Sequence, residues 1–512
     1  MDDKGPPEHS EHPHQDGYTD ENEKGATIDN VHMDDGMKVF ATYSRERTWD
    51  ASEEKALLRK IDWKVMPLLF STYALQFYDK AMLSQAAIFG LIKDLELTGN
   101  RYSFSSSIFY LGYAAGTFPA MLLMQRFPVQ RVAATIILLW GICLCCTVVC
   151  HDYRTLYTQR FFLGFLEGGV SPMAMVIVSN YYTKSEQGFR QGIWNSSAGW
   201  IAMFSPLINY GLGHITGGSL ATWCYMYLFA GSLTCLYSLL VLFFLRSDPV
   251  NAKGLTERER YIAVARLQSN NAGVRNTHIK WVQIREAALD VRFWLVFAVA
   301  FLSMMTNGPA STFVPLIING MGYSRLHSLL LLMPLGFAAG TLPLLSAYLS
   351  SKFAHRKWRT WVASIAGIPT VVAAVMCWRL PDSATGARLF AIYLLGGFTS
   401  TYAVMIGLQT SNTAGYTKKS VTAAGFFLGY CMGNFTGPLL FKPQDAPNYN
   451  PGFLAITITT IVVAVLPIVY RFQCLYENKK RDAAGIREAY DHAYEDDCTD
   501  VKVSCSQDVK LV

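Results

Sequence analysis

Residues 132–149 read VAATIILLWGICLCCTVV, an apolar stretch without a charged side chain. About 18 consecutive apolar residues are enough to cross the hydrocarbon core of a bilayer as a helix. Residues 220–245 have the same character. Lipid offers no hydrogen-bond partners to the backbone, so a spanning segment must be a helix or a strand of a closed barrel. These stretches are too long and too uniformly apolar for barrel strands, and they predict an all-α membrane protein.

The composition argues against a soluble enzyme. Of the 512 residues, 51% are hydrophobic and only 16% are charged, whereas soluble domains carry about 25% charged residues. The sequence contains no GxxxxGK[ST] loop, HExxH motif or GxSxG motif, so we expect no ATP-driven step, no catalytic metal and no cofactor. We also expect no nucleic-acid partner. Energy for any transport would have to come from an ion gradient.

The apolar blocks predict twelve membrane spans in two groups of six. The predicted spans are residues 63–91, 103–124, 131–150, 156–181, 188–214, 221–246, 291–318, 324–351, 358–379, 386–415, 418–441 and 451–474. They divide the chain into a disordered N-terminal tail (1–50), an N-terminal half (51–246), a central loop (247–290), a C-terminal half (291–475) and a C-terminal tail (476–512). The first 50 residues are polar and show no cleavable signal peptide.

Basic residues predict the orientation of the spans. Lysine and arginine are concentrated in alternate connections, for example at Arg59 and Lys60, in the central loop, and at Lys479 and Lys480. The positive-inside rule places these connections and both termini in the cytoplasm, which requires an even number of spans. Within the central loop, Thr256 and Glu259 have the spacing of a capping box. They predict a cytoplasmic amphipathic helix that steadies the two halves.

Four charged residues lie inside predicted spans: Asp79 and Lys80 in the first, and Arg160 and Glu167 in the fourth. Ionisable residues are costly in lipid and usually face a water-filled cavity or a partner. At about 1.5 Å of rise per residue, Lys80 and Glu167 reach similar depths near the middle of the membrane. Arg160 lies nearer the surface. The alternative to a functional site is a permanent ion pair of Glu167 with Lys80 or Arg160.

Helical spacing predicts which way these side chains point. Tyr73, Gln76 and Lys80 share one polar face of the first span, so we expect Lys80 to face the cavity. Asp79 lies on a more apolar face, where a hydrogen bond to a neighbouring helix is expected. We predict that Lys80 attracts an anionic substrate group, with Gln76, Tyr73 and Arg160 as further substrate-binding candidates. Glu167 and Asp79 are the candidates for proton coupling.

The C-terminal half offers neutral polar groups in place of charges. Asn307, Tyr402 and Asn434 are candidates for the other wall of the substrate site, and interhelical hydrogen bonding accounts equally well for each. Glycines recur every fourth residue on the eleventh span, at Gly425, Gly429, Gly433 and Gly437. This small-xxx-small pattern predicts close helix packing.

Several segments resemble a known family. Residues 59–69 read RKIDWKVMPLL and lead to Asp79 and Lys80; residues 160–172 read RFFLGFLEGGVSP; residues 433–438 read GNFTGP and are followed by Asp445. Over about residues 50–480 the chain resembles the major facilitator superfamily, in its anion:cation symporter branch, and within it the fungal allantoate permease family. The loop at 125–131, QRFPVQR, departs from the superfamily pattern because it lacks the usual acidic residue and glycine.

The resemblance implies two six-helix halves that rock around a central site lined by spans one, four, seven and ten. It implies a monomer in the plasma membrane that takes up a small organic anion together with protons. Substrates of the family include allantoate, ureidosuccinate, nicotinate, pantothenate and biotin. Export of a fungal metabolite on the same fold is a second hypothesis. A membrane-embedded enzyme is disfavoured, because no catalytic cluster of His, Asp or Cys lies at mid-membrane.

Overall fold

The computed structural model describes residues 49–484, except 216, 247, 250, 251, 253, 269–279, 354–357, 382, 414, 415 and 447. All regular secondary structure in this part of the chain is helical. The disorder expected of the N-terminal tail (1–50) concerns residues of which 1–48 lie outside the described part of the chain, and residues 485–512 of the C-terminal tail lie outside it as well.

Twelve long helices, α1–α12, coincide with the twelve predicted spans. They are α1 (Ala51–Ala86), α2 (Arg101–Arg126), α3 (Val129–Val149), α4 (Tyr153–Tyr181), α5 (Lys184–Leu212), α6 (Thr222–Phe244), α7 (Val291–Thr312), α8 (Arg325–Lys352), α9 (Arg359–Arg379), α10 (Thr385–Asn412), α11 (Tyr416–Thr436) and α12 (Asn450–Ala484).

Several of these helices are locally irregular. The segments are Tyr153–Glu167 and Val170–Tyr181 in α4, Arg325–Leu330 and Met333–Lys352 in α8, Thr385–Leu395 and Thr399–Asn412 in α10, and 3-10 turns at Cys146–Val149 and Gly396–Phe398. Shorter helical pieces are Ala87–Leu91, Ile92–Asp94, Val314–Gly320, Pro438–Leu440 and Pro443–Asp445, and the central loop contains Glu257–Gln268 and Trp281–Leu289.

Nine of the described long helices are apolar and long enough to cross a membrane; α1, α5 and α11 fall short of the hydropathy expected. The lower hydropathy of α1 comes partly from Gln76, Asp79 and Lys80, which turn toward protein rather than lipid. Two helix ends also differ from the predicted spans. Helix α1 begins at Ala51 and α12 continues to Ala484. The apolar pattern shows only the part of a helix that crosses the hydrocarbon core. Backbone hydrogen bonds can continue the helix beyond that core into polar surroundings.

Glycines permit close helix packing within each half. A Cβ atom on Gly433 would overlap the carbonyl oxygen of Phe301 on α7, and one on Gly429 would lie 3.0 Å from the carbonyl oxygen of Phe297. The packing prediction for the glycines of α11 is therefore confirmed. In the N-terminal half, Gly231 on α6 approaches α3 in the same way.

The two halves are joined by hydrogen bonds at the end of the bundle opposite the central loop. The hydroxyl of Tyr102 donates to the carbonyl oxygen of Thr312 at 2.9 Å, and Ser106 shares a hydrogen bond with the Thr312 hydroxyl at 2.8 Å. Ser103 donates to the carbonyl oxygen of Phe441 at 2.9 Å. In this conformation α2 is thus tied to the ends of α7 and α11.

The central loop forms two described helices, each bound to a different half. In the first, Thr256 and Glu259 exchange the hydrogen bonds of a capping box, and Glu259 forms a 2.7 Å salt bridge with Lys60 of α1. In the second, Glu286 forms a 2.8 Å salt bridge with Lys418 of α11. These contacts differ from the prediction of one helix steadying both halves, because each helix finds its countercharge on the half next to it in sequence.

Asp290 completes the ionic cluster at the base of the C-terminal half. It caps α7, pairs with Arg292 at 2.7 Å and lies 3.2 Å from Lys418. Burial by itself would raise the pKa of Asp290, but the hydrogen bonds and charge of Arg292, with the charge of Lys418, outweigh it and leave the pKa below its usual value. The cluster is therefore stabilising in its ionised form.

Candidate functional site

The polar face of α1 packs against α4 and α5. The side chain of Gln76 is fully buried and donates from Nε2 to the carbonyl oxygen of Glu167 at 3.1 Å. One turn earlier, the ring of Tyr73 meets Trp194 of α5 edge-on, with 4.7 Å between centroids. The predicted face thus lies at the interior of the N-terminal half.

Lys80 lies in a cage of aromatic rings. Its Nζ is 4.7 Å from the centroid of Phe77, 4.7 Å from that of Tyr113 and 5.5 Å from that of Phe109. Ring faces attract an ammonium group, but they do not neutralise its charge. Lys80 is half-buried, and the described salt bridges do not include it.

Glu167 lies close by on α4, at the end of the segment Tyr153–Glu167. Its side chain is fully buried, and neither carboxylate oxygen has a hydrogen-bond partner among the described residues. Lys80 and Arg160 are the cations that act electrostatically on Glu167. The described ion pairs include none with Glu167, so the permanent ion pair considered from the sequence is not formed in this conformation.

Arg160 is the second cation of the group. Although its position in the sequence is nearer the surface, the residue is only 3% exposed. Its Nε donates to the carbonyl oxygen of Ser105 at 3.4 Å, and its guanidinium carbon lies 5.1 Å from the ring centroid of Phe109. Phe109 therefore contacts both Lys80 and Arg160.

Asp79 points away from Lys80, as the helical spacing predicts. It is fully buried, and the hydroxyl of Thr234 on α6 donates to its Oδ2 at 3.5 Å, while Oδ1 has no partner among the described residues. The two buried carboxyl groups, Asp79 and Glu167, are close enough to repel each other.

The C-terminal candidates are brought together in part. Asn307 of α7 donates to the side-chain oxygen of Asn434 on α11 at 2.6 Å, so these two amides satisfy each other here. The ring of Tyr402 on α10 lies 6.4 Å from that of Tyr430. Tyr430 also lies 6.4 Å from Tyr113, which connects Tyr402 to the Lys80 cage.

The three rings around Lys80, those of Phe77, Phe109 and Tyr113, are absent from the site residues predicted from the sequence. Phe77 is three residues before Lys80, and Phe109 and Tyr113 are four residues apart on α2. Both spacings put side chains on one helix face. The spacing was a usable signal, but aromatic residues are common in spans, and only the packing of the bundle brings Phe109 and Tyr113 of α2 over Lys80 of α1.

The comparisons with known proteins agree with this architecture. The sequence profile of the Major Facilitator Superfamily matches residues 69–438. The chain belongs to the major facilitator superfamily. It is 33% identical to the uncharacterized transporter C757.13 of Schizosaccharomyces pombe over 85% of this chain and 82% of that protein.

Relatives with more informative names are similarly close. The chain is 31% identical to the thiamine pathway transporter THI73 of Saccharomyces cerevisiae, over 83% of this chain and 81% of that protein. It is 30% identical to the allantoate permease of the same organism, over 90% of this chain and 86% of that protein. The resemblance to the fungal allantoate permease family is thereby confirmed.

Solved structures confirm the major facilitator fold. A bacterial homologue of the human lysosomal transporter Spinster superimposes with a TM-score of 0.60 at 18% identity, covering 80% of this chain and 96% of that one. The xylose transporter XylE of E. coli gives a TM-score of 0.59 at 12% identity, covering 79% and 97%. Relatives and structural neighbours are transporters, and this superfamily member is a membrane transporter, not an enzyme.

Proposed function

We propose that this transporter takes up a small organic carboxylate together with protons across the plasma membrane, with both termini and the central loop in the cytoplasm. The observation that carries the proposal is a pair of opposite charges in the interior of the N-terminal half, neither of which belongs to a described salt bridge. Lys80 is held by rings instead of a carboxylate, and Glu167 has no hydrogen-bond partner among the described residues. The similarity to a protein named allantoate permease supports an anionic substrate.

Anion and proton binding would be coupled through Lys80. A carboxylate that reaches the ammonium group forms a charge-assisted hydrogen bond, which is stronger than the ring contacts it replaces. Engagement of Lys80 by substrate leaves Glu167 with less compensating charge. A buried carboxylate without compensation is costly, so Glu167 would then hold a proton. Asp79, behind it, would exchange protons with Glu167, and Arg160 would assist in holding the anion.

The walls of the site suggest the shape of the substrate. The ring of Tyr113 lies over the ammonium of Lys80, and the rings of Tyr430 and Tyr402 continue from it into the other half. Such surfaces favour a compact, planar body that can stack on them. Asn307 and Asn434 would exchange their mutual hydrogen bond for bonds to polar atoms of that body.

The direct test is transport by the purified protein in liposomes. Radiolabelled nicotinate, allantoate and ureidosuccinate are offered with an acidic exterior, and nicotinamide serves as the uncharged isostere of nicotinate. We expect accumulation of at least one carboxylate that stops when a protonophore is added, and no accumulation of the amide. Accumulation that is insensitive to the protonophore contradicts proton coupling, and extrusion of preloaded metabolite without uptake would support the export alternative.

A further inference from the structure

A small cavity lies inside the C-terminal half, away from Lys80. It lies between α7, α9, α10 and α12, and most of its exposed wall is apolar. The residues on its wall that carry a hydroxyl group are Ser303 and Thr306 of α7, Thr370 of α9, Thr401 of α10 and Thr460 of α12. Its water-accessible volume is about 10 Å³. That is close to the minimum that admits one water molecule.

Three of these hydroxyls are buried without a protein partner. Ser303, Thr306 and Thr370 are 2%, 0% and 3% exposed, and their hydroxyl oxygens have no hydrogen-bond partner among the described residues. By contrast, Thr401 donates to the carbonyl oxygen of Ala363 at 2.8 Å, and Thr460 donates to that of Ile456 at 2.9 Å. A buried hydroxyl that makes no hydrogen bond is unfavourable, so three beside one cavity indicate an occupant.

We propose that this cavity binds one ordered water molecule that bridges Ser303 and Thr306 of α7 to Thr370 of α9. A buried water typically makes about three hydrogen bonds, which matches the three unsatisfied hydroxyls. The lining residues carry no formal charge, which favours a neutral occupant over a cation. Because Thr306 directly precedes Asn307, the water fixes the rotation of α7 at the level of the substrate site.

The test is a double-substitution cycle read as melting temperature in detergent. Thr306→Val and Thr370→Val keep the side-chain shape and each remove one partner of the water. We expect each to lower the melting temperature by about 1–3 °C, and the double variant to lose less than the sum, because the second change acts on a water already weakened. In a dry cavity each single change removes an unsatisfied hydroxyl and raises the melting temperature, which overturns the proposal.

Two controls are needed. The first tests whether loss of any buried hydroxyl in this half has the same effect, and the second tests whether the occupant is a cation instead of water. Thr457→Val, in the same half, removes a buried hydroxyl that donates to its own helix at Phe453, and its effect should add to that of Thr370→Val. Replacing sodium with choline in the buffer should leave the melting temperature unchanged. Specific stabilisation by sodium that disappears in the double variant contradicts a water site and indicates a cation.

Discussion

The two halves of the transporter share their packing and differ in their buried charges. Helices in each half approach closely through glycines, such as Gly231 in one and Gly433 in the other. The interior of the N-terminal half holds Lys80, Arg160, Asp79 and Glu167. The corresponding spans of the C-terminal half present amides, hydroxyls and aromatic rings. The difference indicates a division of labour, in which one half binds charge and the other shapes the cavity.

The largest effect is expected from Glu167→Gln. The amide keeps the shape of the side chain and cannot release a proton, so accumulation against a gradient should be abolished. Exchange of labelled for unlabelled substrate needs no net proton movement and should continue. Counterflow and net uptake measured in the same liposomes provide the check. A variant that still accumulates substrate would remove Glu167 from coupling and weaken the contrast between the halves.

Lys80→Met should reduce apparent substrate affinity roughly 100-fold, because a hydrogen bond between charged groups is worth up to about 3 kcal/mol. Lys80→Arg retains the charge and should recover part of the loss. Asn307→Ala in the other half should cost roughly 10-fold or less, as expected for one neutral hydrogen bond. Concentration dependence of initial uptake gives these values. Equal losses for Lys80→Met and Asn307→Ala would mean that both halves bind charge.

Replacing a lysine outside the substrate site should lower the stability of the protein and leave its substrate affinity unchanged. Lys418 is 2% exposed and pairs with Glu286 and Asp290 at the base of the C-terminal half. Lys418→Met removes a buried cation that Glu286 and Asp290 share, while Asp290 keeps its pairing with Arg292. The change should destabilise the protein by roughly 2–4 kcal/mol, with substrate affinity unchanged. Lys442→Met, at an exposed lysine, is the matched control and should have little effect on thermal stability.

The stability difference between Lys418→Met and the wild type should depend on pH in a defined direction. The pKa of Asp290 is lower in the folded protein than in the unfolded chain, where it is about 3.9. The ionised carboxylate therefore contributes fully to the free energy of unfolding above the unfolded-state pKa, and this contribution is lost as pH falls through the folded-state pKa. The difference should therefore be constant from pH 8 to 5 and shrink below about pH 4. A difference that grows on acidification would contradict this role.

The smallest effects concern packing and should be alike in the two halves. A Cβ atom on Gly433 would overlap a backbone oxygen of α7, and one on Gly231 would lie 2.8 Å from the carbonyl oxygen of Gly141. Alanine at either site should destabilise by about 1–3 kcal/mol through overpacking. Gly407→Ala, where no atom lies within 4 Å, should be neutral. If alanine were tolerated at Gly231 but not at Gly433, the two halves would not depend equally on close packing at glycine.

The amino-acid sequence was enough to predict twelve helices, their division into two halves and the four charged residues within the spans. Hydrophobic length accounts for most of the helices, because lipid requires every backbone group to be bonded within its own helix; α1, α5 and α11 are less apolar than the other nine described long helices. Helical spacing also sufficed to turn Asp79 toward a neighbouring helix and Lys80 away from it, since residues one apart point about 100° from each other.

The surroundings of those charges depend on helices that are distant in the sequence and could not be predicted from it. The rings over Lys80 come from two helices, the partner of Asn307 lies 127 residues away on α11, and each central-loop helix is fixed by countercharges on its neighbouring half. The periodicity of the sequence predicts which face of a helix a side chain lies on, but it does not predict which helix packs against that face. Contacts between helices depend on crossing angles and close approaches that are set by the packing of the whole bundle.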